Sequence, residues 1–579
     1  MKIIGITSDK VKIHDNSVAL LEDGKILFAE AQERLSRKKH DGNFPNLVIQ
    51  EALNLTGNKI KDIDYFVTAD PKPSLFKTLL STLQYIPTTG LDTFFEQVVE
   101  RFKFRRNKED LELVRSFNEL KIPQNKIIDV SHYLAHGATA YYFSPFRECL
   151  VVTMDGYGLD SDSKPLSGKI YLGEGGRLTQ LEDIPVHGSL GLYYGAVTIA
   201  LGFKLNDGEG KTMGLAAYGN PQKSIKQITT FFPAFKNGHW TVRKSIFDIL
   251  NISRTEVFIK SKTYKFLIKL IARYGRENVA AGAQEVFEKQ LENYFKYLAM
   301  KYQIKKVSAA GGIFLNMKAN MRLLQNKIID ELFVYPNPGD SGTAIGASVA
   351  GFLIKKGKFP QREIKNTNLG RAYSEAEIKQ ALMKTKGITY KKLGKDLAKF
   401  TAGRLNQGKV LGWFQGRGEW GPRALGQRSV IADPRKLATK NRINAILKGR
   451  EWFMPFAPSI LEERASDYLV NLRKAPFMII GDDVTKLGLK ELRAIVHVDG
   501  TVRPHIVSKK VQPLYYQVIK EFEKLTGVGV ILNTSFNKHG LPIVYSPQDA
   551  LNHLLWGAID ELVIGQFHVV RKNGTRKKQ

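Results

Sequence analysis

Two distant stretches of the chain begin in the same way, with an apolar strand, a polar turn and a second strand. In the first, KIIGITS (residues 2–8) is followed by the polar KVKIHDN and the apolar SVALLED, and Asp23-Gly24 then predicts a hairpin into KILFAEA. In the second, CLVVTMDGYG from Cys149 leads through an acidic, glycine-rich turn to KIYLGEG. Two such openings predict the duplicated halves of one α/β fold, although the repeat in sequence is weak.

The 579 residues are too many for a single hydrophobic core, so more than one domain is expected. Apolar residues recur at helical spacing in residues 279–302 and predict a long helix. The polar stretch 356–372 is interpreted as a linker between a first domain, residues 1–355, and a second α/β domain, residues 373–579. Strands of the second domain are predicted at VLGWF, GVGVILN and ELVIG.

Composition favours a cytoplasmic enzyme. Cys149 is the only cysteine, which excludes an internal disulfide and a cysteine-based metal cluster. The N-terminus does not have the pattern of a signal peptide, and no apolar run approaches the roughly 18 residues of a membrane-spanning helix. No membrane partner is therefore expected.

The charge is unusual, since 87 Lys and Arg residues against 56 Asp and Glu residues leave a net charge of +31. Such a balance attracts phosphate, including the phosphates of RNA. The densest basic groups, RFKFRRNK (101–108) and RKNGTRKK (571–578), are not part of a recognisable nucleic-acid-binding module. We therefore expect a basic enzyme with anionic substrates and no specific nucleic-acid partner. A non-catalytic RNA-binding protein is the alternative.

The segment SHYLAHGATAYYF contains His132 and His136 at a spacing of four residues. This spacing puts both imidazoles on one helical face, where they can share a metal ion. Asp340, between glycines in PGDSG, is the candidate third ligand. Two histidines and one carboxylate suit Fe(II) or another first-row divalent ion. The alternative is an unrelated pair among the 11 histidines.

Three glycine-rich turns, DGYG (155–158), GEGK (208–211) and GGIF (311–314), let the backbone approach a phosphate or nucleoside closely. Asp155 is placed to order a metal or a water. The order of these turns along the chain resembles that of the phosphate and adenosine loops of actin-like ATPases.

Arginines of the C-terminal third stand among Gly, Pro and Trp residues, in GRGEWGPRALGQRS (416–429), KGREWFMPFAPS (448–459), RPH (503–505) and NTSFNKHG (533–540). Arginines in such loops offer rigid forks for phosphate oxygens, and the Asn and Ser residues suit a planar carbamoyl group or a ribose. The candidate ligand-binding residues are Arg417, Arg423, Arg428, Arg503, Asn533, Ser535 and Asn537.

These motifs together resemble the NodU/CmcH carbamoyltransferase family over the whole chain. The resemblance implies an actin-like N-terminal domain, made of duplicated ribonuclease H-like halves, and a YrdC-like C-terminal domain. Lys448-x-Arg450 and Ser535-x-Asn537 are similar to the nucleotide-site motifs of YrdC proteins. One departure is Tyr133, where the family often has a second histidine.

The resemblance further implies two half-reactions, with ATP, its Mg(II) and carbamoyl phosphate giving carbamoyl adenylate in the C-terminal domain. Lys448 and Arg450 would act there, and the isolated domain is expected to catalyse this step. The carbamoyl group would then move to a hydroxyl of a small acceptor, a sugar or secondary metabolite, in the metal-containing N-terminal domain. Gly311, Gly312 and Asn316 would contact the nucleotide, and His14 is the candidate base.

The nearest rival is tRNA threonylcarbamoylation, which uses the same two domain types and which the +31 charge favours. A hydrogenase maturation factor is disfavoured because such proteins carry zinc-finger cysteines. The identity of the acceptor stays open, as does the choice between a monomer and a homodimer.

Overall fold

The structure is a computed structural model that describes residues 1–8, 15–69, 109–160, 165–242, 246–449, 451–471 and 474–572. It divides into two compact units. The first consists of Met1–Gln32 and His40–Ile364, and the second of Glu33–Lys39 and Lys365–Gln579. A short segment from the N-terminal part of the sequence thus belongs to the second unit.

The strands of the first unit are β1 (Lys2–Thr7), β2 (Ser17–Glu22), β3 (Lys25–Ala31), β4 (Tyr65–Thr68), β5 (Ile127–Asp129), β6 (Cys149–Leu159), β7 (Pro165–Glu174), β8 (Arg177–Pro185), β9 (Ala234–Lys236), β10 (His239–Thr241), β11 (Lys306–Ala310) and β12 (Glu331–Val334). The helices up to residue 364 are α1 (Gln32–Ser36), α2 (Asn46–Thr56), α3 (Glu109–Glu119), α4 (His132–Tyr142), α5 (Leu190–Ala200), α6 (Glu209–Ala216), α7 (Ile225–Phe231), α8 (Ile246–Leu250), α9 (Thr255–Phe258), α10 (Lys262–Tyr274), α11 (Arg276–Tyr302), α12 (Met317–Gln325) and α13 (Thr343–Lys356). The long helix predicted at 279–302 is confirmed within α11.

The two large sheets of the first unit have the same topology. One has the strand order β3-β2-β1-β4-β5 and the other β8-β7-β6-β11-β12. In each, the first three strands along the chain pair antiparallel and the last two extend the sheet in parallel. This repeated topology confirms the predicted duplication of an α/β half.

The first predicted hairpin is confirmed, since β2 and β3 are joined at Asp23 and Gly24, both with positive φ. The second opening differs from its prediction. Asp155-Gly-Tyr-Gly158 is part of β6 rather than a turn after it, and the pairing with β7 is irregular between Met154 and Gly158. A bulge of this kind redirects side chains within a strand, and it is where Asp155 is presented.

Helix α13 packs against both α4 and β1. A Cβ on Gly346 would lie 1.9 Å from the carbonyl oxygen of Ala135, and one on Gly5 would lie 1.9 Å from that of Ala344. Only glycine allows these backbones to approach so closely. The start of α13 is therefore held next to the helix that carries the two histidines.

The second unit is built on one mixed eight-stranded sheet with the order β13-β22-β21-β14-β15-β20-β16-β19. Its strands, with a small separate pair β17 and β18, are β13 (Ile388–Lys392), β14 (Leu411–Phe414), β15 (Arg428–Ala432), β16 (Ala457–Leu461), β17 (Asp482–Asp483), β18 (Thr501–Val502), β19 (His505–Val507), β20 (Val530–Ser535), β21 (Glu561–Ile564) and β22 (Phe567–Arg571). Its helices are α14 (Glu375–Lys384), α15 (Leu397–Asn406), α16 (Leu437–Ile443), α17 (Ala465–Tyr468), α18 (Lys486–Glu491), α19 (Pro513–Thr526) and α20 (Pro547–Leu555).

Helices α15 and α19 pack on each other, and one hydrophobic core that includes Trp413 and Phe522 joins helices and sheet. The α/β class predicted for both parts of the chain is confirmed, as are the three strands predicted in the second. The structure places residues 365–372, part of the predicted linker, in the second unit. Across the described residues, no helix combines the length and apolar character needed to span a bilayer.

Candidate active site

The two histidines of the first unit lie in the opening turns of α4. Ser131 caps this helix, because its hydroxyl accepts a hydrogen bond from the Leu134 amide at 3.4 Å and donates one to Asp160 Oδ1 at 2.6 Å. His132 and His136 are both buried, with ring centroids 4.7 Å apart. The structure places them on one helical face, as their spacing predicts.

Two carboxylates complete a cluster with these imidazoles. Asp155 comes from the irregular part of β6, and Asp340 begins a short 3-10 turn directly before α13. His136 Nε2 lies 3.2 Å from Asp155 Oδ2 and 3.5 Å from Asp340 Oδ1. His132 Nε2 lies 3.8 Å and 3.6 Å from the same two oxygens. One atom of each residue lies within 4.8 Å of the other three.

The atoms facing the centre of this cluster fit a divalent cation. Among the residues that the structure describes, His136 Nε2, Asp155 Oδ2 and Asp340 Oδ1 are buried without a hydrogen-bond partner. Buried polar atoms are rarely left in that condition, and two adjacent carboxylates need a compensating positive charge. Two imidazole nitrogens and two carboxylate oxygens suit Fe(II) or another first-row divalent ion.

The carboxylates of the cluster differ in proton affinity. Burial, together with the negative charge of Asp155, raises the pKa of Asp340 to about 6. Burial also opposes ionisation of Asp155, but the adjacent imidazoles of His132 and His136 outweigh it and hold the pKa of this carboxyl well below its usual range. Asp155 is therefore the member of the pair that loses its proton more readily.

The sequence predicted His132, His136 and Asp340 as ligands of one metal, and Asp155 as a residue that orders a metal or a water. The structure brings Asp155 into the same cluster, so it is the fourth candidate ligand. The signal in the sequence was an aspartate directly after the apolar run CLVVTM and next to a glycine. The same aspartate explains why position 312, in the turn after β11, is glycine. A Cβ on Gly312 would lie only 2.9 Å from Asp155 Oδ1.

The other predicted residues of the first unit have different surroundings. Gly311 has φ +109°, and a Cβ there would meet the Met154 carbonyl oxygen at 2.0 Å. Asn316 caps α12 and exchanges hydrogen bonds with Gln284 at 3.0 and 3.1 Å, so its amide already has partners within the unit. His14, the candidate base, lies outside the described residues.

In the second unit, a buried glutamate that was not predicted as a site residue organises the arginine-rich loop. The carboxylate of Glu419 accepts hydrogen bonds from the backbone amides of Leu425, Gln427 and Arg428 at 2.7–3.1 Å. Glu419 is fully buried. An acidic residue between glycines, in GRGEWG, was the available signal, because a loop rich in glycine has many amides that need acceptors.

Two of the predicted phosphate-binding arginines have structural partners instead. Arg428 is 1% exposed, donates to the carbonyl oxygens of Gln415 and Gln427 at 2.5 and 3.2 Å, and stacks on Phe414 at 3.6 Å. Arg417 donates to the carbonyl oxygens of residues 369 and 370 at 2.6 and 2.7 Å. Their guanidinium groups tie strands and loops together, which explains their position among Gly and Trp residues.

Arg423 is different. It is half-buried, no hydrogen bond or ion pair joins it to any described residue, and burial lowers the pKa of its guanidinium to about 10. A cation with no carboxylate partner in a partly desolvated position is well suited to bind an anion. Arg503, the remaining candidate arginine, is half-buried two residues before β19.

Polar residues in β20 and just after its end form hydrogen bonds. Ser535 donates to Asn537 Oδ1 at 2.5 Å, and Asn537 donates to the Leu541 carbonyl oxygen at 2.7 Å. Asn533 donates to Ser459 Oγ, and its Oδ1 is a buried acceptor for which no described residue supplies a donor. Of the lysine–arginine motif, Arg450 and the side chain of Lys448 lie outside the described residues.

A buried histidine that was not predicted as a site residue lies next to Ser459, to which Asn533 donates. His505 Nδ1 is 2.9 Å from Ser459 Oγ, and the ring stacks on Tyr515. Burial lowers the pKa of His505 to about 3, so the imidazole is neutral at physiological pH. It also lines a small cavity of about 40 Å³ next to Leu425.

Comparison with known protein families gives one match in the N-terminal part of the chain and one in the C-terminal part. Residues 2–349 match the family described as Carbamoyltransferase N-terminus, and residues 402–571 match Carbamoyltransferase C-terminus. The chain is 32% identical to nodulation protein NolNO of Sinorhizobium fredii, over 97% of this chain and 80% of that protein. It is 34% identical to nodulation protein NolO of Bradyrhizobium diazoefficiens, over 76% and 79%.

An uncharacterised protein of Synechocystis is similar over a still larger share, with 32% identity across 100% of this chain and 98% of that protein. The N-terminal match alone covers more than half of the chain, and it includes all four residues of the metal-type cluster. The C-terminal match includes Arg423, Asn533 and Asn537. The chain belongs to the carbamoyltransferase family, as the NodU/CmcH resemblance predicted, and is a carbamoyltransferase.

Proposed function

We propose that this carbamoyltransferase works through carbamoyl adenylate, made in the second unit and consumed in the first. Water cleaves carbamoyl phosphate to carbamate and inorganic phosphate. A carbamate oxygen then attacks the α-phosphorus of ATP and displaces pyrophosphate. Arg423 supports this assignment, because a cation without a protein partner can neutralise the charge that develops on phosphate oxygens. Lys448, Arg450, Ser535 and Asn537 are proposed to contact the nucleotide.

In the second half-reaction, the acceptor hydroxyl oxygen attacks the carbamoyl carbon and AMP leaves. The hydroxyl proton passes to a base, for which His14 stays the proposed candidate. The observation that carries this half of the proposal is the buried cluster of His132, His136, Asp155 and Asp340, which we propose holds a divalent ion. Such an ion, Fe(II) in our proposal, would supply a Lewis acid for a phosphate or carbamoyl oxygen.

Within this cluster the protein's own residues have distinct tasks. The imidazoles are oriented by α4 and by its Ser131 cap. Asp155 and Asp340 bring negative charge from two different elements, so they balance a cation only when β6 and the start of α13 are both in place. Gly312 lets Asp155 Oδ1 lie close to the turn after β11, and the nucleotide contact at Gly311 and Gly312 stays part of the proposal.

We propose that the acceptor is a small hydroxylated molecule and that no nucleic acid is a specific partner. The net charge of +31 is the one observation that favours tRNA modification instead. Two assays test the function. Exchange of labelled pyrophosphate into ATP that requires carbamoyl phosphate, without any acceptor, is expected for the first half-reaction. Absence of exchange in the metal-loaded full-length protein would contradict the adenylate route.

The second assay offers candidate alcohols together with ATP and carbamoyl phosphate. Mass spectrometry is expected to find a product heavier by one carbamoyl group, with AMP released in equal amount. Carbamoyl or threonylcarbamoyl groups on an adenosine of tRNA, and none on small alcohols, would replace the small-acceptor proposal by tRNA modification.

A further inference from the structure

The segment Glu33–Lys39 lies far from the second unit in sequence but belongs to it in the fold. Its two arginines contact two different loops of that unit. Arg34 is 4% exposed, and its Nη2 donates to the carbonyl oxygen of Gly421 at 2.8 Å. The buried guanidinium also lies 3.6 Å, at Nε, from Glu33 Oε1, so a carbonyl oxygen and a carboxylate together offset the cost of burying its charge.

The loop that Arg34 contacts is the one that presents Arg423. Gly421 has φ +106° and stands two residues before Arg423. Glu419 holds the far part of the same loop through the amides of Leu425 and Arg428. The backbone around Arg423 is thus fixed from two sides, by a carboxylate within the unit and by a guanidinium from residues 33–39.

The loop that Arg37 contacts follows Ser535-x-Asn537. Arg37 Nη1 donates to the Ile543 carbonyl oxygen at 2.7 Å, and Nη2 donates to that of Pro542 at 3.0 Å. Arg37 Nε also lies 3.3 Å from Asp549 Oδ1. Asn537 donates to the neighbouring carbonyl of Leu541. The planar fork of Arg37 therefore fixes the short stretch of backbone to which Asn537 is anchored.

We propose that Glu33–Lys39 is a positioning segment of the adenylate-forming unit, and that Arg34 and Arg37 are positioning residues for carbamoyl-adenylate formation. This inference rests on the function proposed above for the second unit. Arg34 sets the placement of Arg423, and Arg37 sets that of Asn537. Neither arginine contacts substrate, and both act by keeping ligand-binding groups of two separate loops in their required geometry.

The test uses full-length protein and the carbamoyl-phosphate-dependent exchange of pyrophosphate into ATP. Arg37→Ala and Arg34→Ala are each expected to lower the exchange rate constant by about 10- to 100-fold, the effect of a misplacement of about 1 Å. Lys38→Ala is the matched control, because Lys38 is an exposed cation of the same segment. It is expected to exchange at the wild-type rate.

Two further measurements separate positioning from loss of fold. Arg37→Lys keeps the charge but loses the fork, so it is expected to recover only part of the rate. Guanidinium ion, added well below denaturing concentrations, is expected to raise the rate of Arg37→Ala and to leave Lys38→Ala unchanged. If Arg37→Ala does not fold, Arg37→Lys decides, and a wild-type rate in that variant overturns the inference.

The outcomes distinguish this inference from the function on which it rests. A wild-type protein without carbamoyl-phosphate-dependent exchange contradicts the proposed function itself. A wild-type protein that exchanges, with Arg34→Ala and Arg37→Ala equal to Lys38→Ala, overturns the positioning role and leaves the function standing.

Discussion

The metal proposed for the first unit depends on single side chains. His136→Ala is expected to lower divalent-metal affinity by more than about 100-fold, because even indirect partners of a metal ligand contribute 10- to 100-fold. Asp155→Asn is expected to have a similar effect, since Asp155 faces both imidazoles. Equilibrium dialysis with Fe(II) and metal analysis measure the change. His239→Ala, at an exposed strand position, is the control, and metal loss in it would point to a different site.

Arg423 and Arg428 stand five residues apart in one motif, yet the structure gives them opposite roles. Arg423→Ala is expected to abolish pyrophosphate exchange without loss of stability, because no described residue depends on its guanidinium. Arg428→Ala is expected to lower the free energy of unfolding by about 3 kcal/mol or more, because buried carbonyl oxygens lose charged donors. Urea unfolding measures the second effect, and equal stability of the two variants would contradict this division.

At the scale of elements, a buried ion pair supports the start of α4. Lys169 Nζ pairs with Asp160, which accepts the Ser131 hydrogen bond at the helix cap. Lys169→Met leaves Asp160 buried without its cation, a change that costs about 3–5 kcal/mol. We expect a lower unfolding temperature and weaker metal binding in this variant. Lys301→Met, which breaks the more exposed pair with Glu182, is expected to cost less than about 1 kcal/mol.

His505 makes the sheet of the second unit sensitive to acid. Burial lowers the pKa of folded His505 to about 3, below its ordinary value of 6.5, so the unfolded chain binds the extra proton first. The contribution of His505 to the free energy of unfolding is complete above pH 6.5. It decreases as the pH falls toward 3, by up to about 1.4 kcal/mol per pH unit. Urea unfolding followed by tryptophan fluorescence at pH 7 and pH 5 measures the slope. His505→Asn is expected to have a smaller slope, and an equal slope in both proteins would contradict this assignment.

The limits of sequence analysis are also clearest at the level of elements. Features formed by residues close in sequence were predicted correctly. Asp23-Gly24 specifies its own turn, and His132 and His136 share one helix. Asp155 and Asp340 meet only because two sheets and α13 pack together. The division between Arg423 and Arg428 likewise depends on partners contributed by distant backbone. Patterns along the chain indicate which chemistry is present, but tertiary contacts decide which side chains remain available for ligands.

At the scale of the whole molecule, the net charge of +31 is expected to produce only non-specific affinity for RNA. Binding should be about micromolar or weaker at physiological salt, equal for tRNA and unrelated RNA, and steeply reduced by added salt. Filter binding over a salt series measures it. The rate on a small acceptor should not change when RNA is added. A tight complex selective for tRNA would contradict this expectation.

The assignment of residues 33–39 to the second unit has a consequence for exchanging parts between related enzymes. A chimera with a single crossover between residues 364 and 365 takes Arg34 and Arg37 from one parent and the carbonyl groups they bind from the other. A C-terminal fragment that starts at residue 373 lacks both arginines, and it also lacks the backbone at 369 and 370 to which Arg417 donates. We therefore expect that fragment to lack the independent activity predicted from sequence unless residues 33–39 are supplied with it. We expect a functional hybrid to need both parts of the second unit, residues 33–39 and the C-terminal part from residue 365, from the same parent.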